Sequence, residues 1–294
     1  MRFERLYPVM SWAQHQASWP QAEHSRFVRV DQGTWHVQVM GQGPALLLLH
    51  GTGAGSFSWR ALLPLLAQHF RVYAPDLPGH VFTGRGVATD LSLRGMSEAM
   101  LALTQALRLK PQAIAGHSAG AAIAADMVLR EPSLHDTALI GLNPAWLPLP
   151  GLASWLFGPA AKLAALNPAS AWLTAKWASR PGVVAKALAQ TGSRLDAQAL
   201  HWYETVFAHA GHVHSVLGMM AAWDMAALAQ SLPRIQHRVL MLVGERDQTV
   251  PVGLAEQALG LLPAAQLQCQ AGLGHLAHEE RPQETAEAIL RFAA

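Results

Sequence analysis

The chain has 294 residues, 51% of them apolar and 14% charged, where an average soluble chain carries roughly 25% charged residues. That composition excludes a disordered protein and supplies apolar material for one large α/β domain, or a core domain carrying an insertion. A net charge of +2 with scattered charges is too weak for an electrostatic nucleic-acid binder, and a lone cysteine, Cys269, excludes an internal disulfide.

The first fourteen residues mix Arg2, Glu4, Arg5 and Pro8 with apolar side chains and lack the features of a signal peptide. Residues 137–161 carry no charge, but Pro144, Pro148, Pro150 and Pro159 would break a membrane-spanning helix repeatedly. A cytoplasmic protein is therefore the expectation, with peripheral membrane contact left open. Residues 26–31 and 35–40 flank Gln32-Gly33 and predict an N-terminal hairpin. Residues 45–49 form a short apolar run suited to a buried strand; 59–69 show helical spacing and 71–74 begin another strand. Then come a helix at 91–107, a strand at 112–116, a helix at 118–129 and a strand at 138–142. This alternation predicts a mostly parallel sheet with helices on both faces.

From about residue 145 to 226 no strand pattern is convincing, and the alternation resumes with a strand at 237–243, a helix at 252–262, a strand at 266–269 and a helix at 282–292. The expected organisation is a core of 1–144 and 227–294 with a helical cap at 145–226. Six of the ten tryptophans fall in that insertion: Trp146, Trp155, Trp172, Trp177, Trp202 and Trp223. Such a stretch either lines a large apolar pocket or packs its own core. Trp146, Trp155, Met219 and Trp223 are the candidate pocket residues.

Gly116-His117-Ser118-Ala119-Gly120 carries the chemistry. It matches G-x-S-x-G and sits between a predicted strand and a predicted helix, where a serine on a sharp turn can act as nucleophile. Its base and acid should follow in the order acid, then histidine. Asp247 stands in the loop after strand 237–243, with Glu245 as fallback, and His275 stands in the loop after strand 266–269. His278 is read as capping the next helix with Glu279 and Glu280. Backbone amides of Ala119 and of Thr52, or Gly53 as fallback, would form the oxyanion hole. Gly51-x-Gly53 also suggests a dinucleotide fingerprint, but position 56 is Ser56 and no acidic residue stands where a ribose ligand should. Asp76 reads better as part of a structured turn. His209, His212 and His214 lack cysteine or carboxylate partners and read as a polar helix face, so neither metal nor cofactor is expected.

With these motifs in order, the chain resembles the α/β-hydrolase superfamily over roughly residues 26–294. Four runs, Leu46–Ala54 (LLLLHGTGA), Gly116–Ala122 (GHSAGAA), Leu217–Asp224 (LGMMAAWD) and Gly272–Pro282 (GLGHLAHEERP), resemble the magnesium-chelatase accessory proteins of bacteriochlorophyll biosynthesis. One departure is Val81 after Pro78-Gly79-His80, where relatives usually carry glycine. The resemblance implies work at or near magnesium insertion into a porphyrin, with chelatase subunits as partners, and stacking of a porphyrin on tryptophan would suit it. It leaves three readings: a serine hydrolase of a bulky apolar ester, a non-catalytic porphyrin-binding or chelatase-assisting protein, and a C–C bond hydrolase using the same triad.

Overall fold

The computed structural model describes residues 8–30, 33–84, 90–148 and 167–293. Eight strands form one sheet: β1 (Ser25–Val30), β2 (Gly33–Met40), β3 (Ala45–Leu49), β4 (Arg71–Pro75), β5 (Pro111–His117), β6 (Ala138–Leu142), β7 (Val239–Gly244) and β8 (Ala265–Gln270). Their order is β1-β2-β4-β3-β5-β6-β7-β8. β2 runs antiparallel to β1 and β4, and every other pairing is parallel. The expected α/β sheet is thus present.

Side-chain alternation divides the core into two layers. Leu47 and Leu49 of β3, Ile114 of β5 and Met241 of β7 join the cluster on one face. Leu46, Leu48, Ala113, Ala115, Leu240 and Leu242 join the cluster on the other. Central strands buried on both faces explain why these runs are continuously apolar instead of alternating with polar residues. The first face is covered by α1 (Leu93–Ala106) and α2 (Ala119–Arg130). Ser92 caps α1 by accepting from the Gly95 amide at 3.2 Å.

Between β6 and β7 the described residues are helical: α3 (Pro168–Ala178), α4 (Val183–Ala189), α5 (Ala197–Phe207), α6 (Ala210–Ala222) and α7 (Ala226–Ser231). Two further helices, α8 (Val252–Leu259) and α9 (Pro282–Ala293), flank β8 in sequence. The helical spacing over 59–69 does not become one helix. It splits into a 3-10 turn, Ser56–Trp59, and a single α-turn, Leu63–Leu66, because Pro64 has no amide to continue a ladder and so sits in the first turn of the second piece.

Candidate active site

Parallel strands place the loops after β3, β5, β6, β7 and β8 at the carboxyl edge of the sheet, where α/β proteins build their sites. Ser118 stands between β5 and α2 with φ +52° and ψ −113°. This backbone is costly for any residue with a side chain and persists only because its surroundings impose it. The two glycines of the motif are steric requirements. A Cβ on Gly116 would stand 2.4 Å from the backbone of Gly120 and Ala121, and one on Gly120 would stand 2.1 Å from the Leu49 carbonyl oxygen.

Asp247 and His275 come together as expected. His275 Nδ1–H donates to Asp247 Oδ2 at 2.7 Å, with the aspartate side chain wholly buried. Asp247 Oδ1 accepts from the amides of Thr249 and Val250 at 2.7 and 2.8 Å, which fixes the carboxylate. Glu245, the fallback acid, is exposed and accepts from the Gly272 amide at 2.8 Å, away from the histidine.

Three positioning contacts were not legible beforehand. Asn143, at φ +46° just after β6, donates Nδ2–H to Asp247 Oδ2 at 2.7 Å. His117 donates Nε2–H to the His275 carbonyl at 2.9 Å. The Thr191 carbonyl, from the segment between α4 and α5, accepts from the His275 amide at 3.3 Å. A polar residue directly after the apolar run of β6, at the site edge of the sheet, was the available signal for Asn143.

Behind the loop after β3 lie three buried histidines, and their contacts fix their tautomers. His50 donates Nδ1–H to the Gly51 carbonyl and accepts the Leu77 amide on Nε2. His80 accepts the Gly53 amide at 3.3 Å, and His212 donates to the Gly53 carbonyl at 3.2 Å. The Gly53 amide is therefore committed, which removes the fallback oxyanion donor. His212 is thus structural, and among the described residues no group of three ligands could hold a metal ion. His278 is not the expected helix cap. It is buried between the rings of Trp59 and His117, at 4.7 and 4.5 Å.

Asp76 lies in the structured turn, as read from the sequence, and accepts from the Ser56 amide at 2.7 Å and from His36 Nδ1 at 2.7 Å. His36 Nε2 in turn meets Ser25 Oγ at 2.9 Å. None of these three residues borders the cavity below. Val81, next to this turn, has a left-handed backbone at φ +49°, a strained conformation for a β-branched residue.

Burial lowers the pKa of seven histidines, His209 and His237 among them. His50 is lowered and His80 and His117 are held well below the usual range, the latter two also by neighbouring histidines. His212 and His278 fall to about 3. Burial pushes the Glu279 carboxyl the other way, up to about 7, with Arg60 and Tyr203 pulling it back. The histidines contribute stability that is present above about pH 6.5, their unfolded value, and lost as pH falls towards their folded values. Glu279 contributes stability that is present below its unfolded value and lost as pH rises through about 7. Seven groups outweigh one between these limits, so denaturation midpoints in urea are expected to fall steadily from pH 6.5 to 4.5. A flat profile over that interval would contradict the buried neutral histidines.

Ser118 and His275 open onto one cavity of about 560 Å³. Its wall is mainly apolar, including Leu147, Leu188, Phe207, Met220 and Trp223, and it also carries Thr52 and Ala119. Trp223 is placed as expected, and its indole donates to the Leu91 carbonyl at 3.1 Å. Trp146 is not on the wall: it is 1% exposed and donates to the Ala121 carbonyl at 2.8 Å inside the core. Met219 is also buried, against Thr52 Oγ1 at 3.6 Å, and its neighbour Met220 faces the cavity instead. Trp155 lies outside the described residues.

A family model described as "Alpha/beta hydrolase family" matches residues 46–288. The magnesium-chelatase 30 kDa subunit of Rhodobacter capsulatus is 36% identical over 265 residues, covering 90% of this chain and 92% of that protein. A pimeloyl-[acyl-carrier protein] methyl ester esterase of Xanthomonas oryzae is 26% identical over 260 residues, covering 88% and 98%. The solved structure of the epoxide hydrolase CorEH shares the fold at TM-score 0.75 and 20% identity, covering 91% of this chain and 97% of that one.

Proposed function

The chain belongs to the alpha/beta hydrolase family, and from that premise we propose that it is a serine hydrolase of a bulky apolar ester, working in or near the magnesium-chelatase step of bacteriochlorophyll biosynthesis. The observation that carries the proposal is that Ser118 and His275 open onto one apolar cavity while the buried Asp247 holds the His275 ring. Ser118 Oγ attacks the ester carbonyl carbon while His275 Nε2 takes its proton. The oxyanion is held by the amides of Thr52 and Ala119, the latter the first free N–H of α2. Collapse expels the alcohol with the proton from His275, leaving an acyl-Ser118. A water activated by the same imidazole then attacks the acyl group and frees Ser118. Asp247, held by Asn143 and the Thr249 and Val250 amides, keeps the imidazole in the tautomer this needs.

In this reading residues 145–226 form a cap over a core of 1–144 and 227–294. The cavity volume falls in the ordinary range for small-molecule sites, and its apolar wall suits a bulky acyl or alkyl group. The link to the chelatase step rests on the likeness to the Rhodobacter capsulatus protein of that name. The same likeness favours a second reading, a porphyrin-binding or chelatase-assisting protein that keeps the scaffold without turnover. A C–C bond hydrolase would need polar groups to hold its substrate, and the apolar wall supports it less.

Intact-mass analysis after treatment with a fluorophosphonate separates the first two readings. One adduct is expected on the wild type, none on Ser118→Ala, and slow formation on His275→Ala. No adduct on a folded wild type would remove the hydrolase and leave the binding protein.

A further inference from the structure

We propose that the outer face of α3 docks on an anionic lipid bilayer. The helix is amphipathic in an inverted sense. Its buried side is built of alanines: Ala171 and Ala175 pack with Val213 of α6, and Ala178 lies in the neighbouring cluster with Val184 and Trp202. Its large residues point outward. Trp172, Leu173 and Trp177 are 56%, 57% and 55% exposed. Lys176 and Arg180 are exposed as well; 172, 173, 176 and 177 lie along one face of α3, and Arg180 follows two residues after its end. Lys176 Nζ stands 5.2 Å from the Trp172 ring, so charge and indole share one patch.

The charge pattern selects the occupant. From residue 137 to 195 the sequence contains no Asp or Glu, while Lys162, Lys176, Arg180, Lys186 and Arg194 all fall there. Lys186 on α4 is exposed too. A second copy seated on this face would oppose like charges, which is unfavourable. An anionic bilayer meets both features. Indoles partition into the headgroup region, and each nearby Lys or Arg gains from the negative surface. Among the described residues no helix is long and apolar enough to cross a membrane, so the protein would lie on the surface. The inner side of α3 adjoins Phe207, which also lines the cavity. An apolar ester could thus pass from lipid to Ser118 by a short path; this consequence rests on the hydrolase reading, whereas docking does not.

Cosedimentation with vesicles of phosphatidylcholine alone, or of phosphatidylcholine mixed with phosphatidylglycerol, tests the proposal at low and high ionic strength. The wild type is expected to pellet with the mixed vesicles and to release as salt rises. Trp172→Ala/Trp177→Ala and Lys176→Glu/Arg180→Glu should each lower the partition coefficient by roughly ten-fold or more. Fluorophosphonate labelling of both variants should match the wild type, which separates loss of docking from loss of the site. No pelleting with the mixed vesicles, or variants that pellet like the wild type, would overturn the proposal. So would sedimentation velocity showing a dimer that Trp172→Ala/Trp177→Ala dissolves.

Discussion

Ser118→Ala is expected to lower turnover of a p-nitrophenyl acyl ester by about 10⁴- to 10⁶-fold, while shifting stability by less than about 1 kcal/mol. The loss is large because nucleophile and base act as a unit. The side chain removed is a single hydroxyl at a residue open to the cavity, so packing barely changes. His275→Ala should cost a similar factor, and the double variant should be no worse than either single one. Asp247→Asn should cost about 10⁴-fold, because an amide facing Nδ1 no longer fixes the productive tautomer. Its backbone donors, the Thr249 and Val250 amides, stay satisfied, since Asn keeps one oxygen to accept from them. Steady-state kinetics on the four proteins decide the matter. A Ser118→Ala loss below ten-fold, or single losses that multiply in the double variant, would mean that these side chains do not share one reaction.

The residues proposed as a triad each sit at a sequence landmark: a glycine-framed serine after a strand, an acid after β7 and a histidine after β8. The sheet was legible because β3, β5, β6 and β7 are buried on both faces and so read as short apolar runs. Pocket lining was not. Trp146 and Trp223 give the same signal in one dimension, yet the first fills the core under α2 and the second borders the cavity. Met219 and Met220 are neighbours on a helix and point in different directions, which spacing alone cannot phase without knowing the packing partner. His278 misled for a related reason. Its neighbours Glu279 and Glu280 suggested a solvated helix start, but Glu279 is buried and paired, and that pairing draws the turn into the interior. Long-range partners of this kind, like His36 with Asp76 or Asn143 with Asp247, lie 40 and 104 residues apart and leave no local trace.

Glu279→Ala is expected to be the most destabilising of the substitutions considered, by about 3–5 kcal/mol, because it strands a buried guanidinium. Arg60 donates to Glu279 Oε2 at 2.5 Å, and their side chains are 5% and 0% exposed. Its other partner, Asp196 at 3.1 Å, is 63% exposed and already caps α5 through the Ala199 amide at 2.6 Å. The Tyr203 hydroxyl, which donates to Glu279 Oε1 at 2.8 Å, would lose its acceptor as well. At about 2–4 °C per kcal/mol, the melting temperature should drop by roughly 10 °C. The cost should come from the orphaned charge and not from the lost attraction, since burying both ions is itself expensive. Arg60→Met/Glu279→Leu is therefore expected to regain most of the stability that Glu279→Ala loses, as measured by thermal melts of all three proteins. The cluster joins Arg60, between β3 and β4, and Glu279, after β8, to Asp196 and Tyr203 in the helical stretch between β6 and β7. It thereby holds that stretch against the loop bearing His275, four residues before Glu279. If the double variant proved as unstable as Glu279→Ala, the ion pair itself would be the fastening, and the helical stretch would depend on its charge.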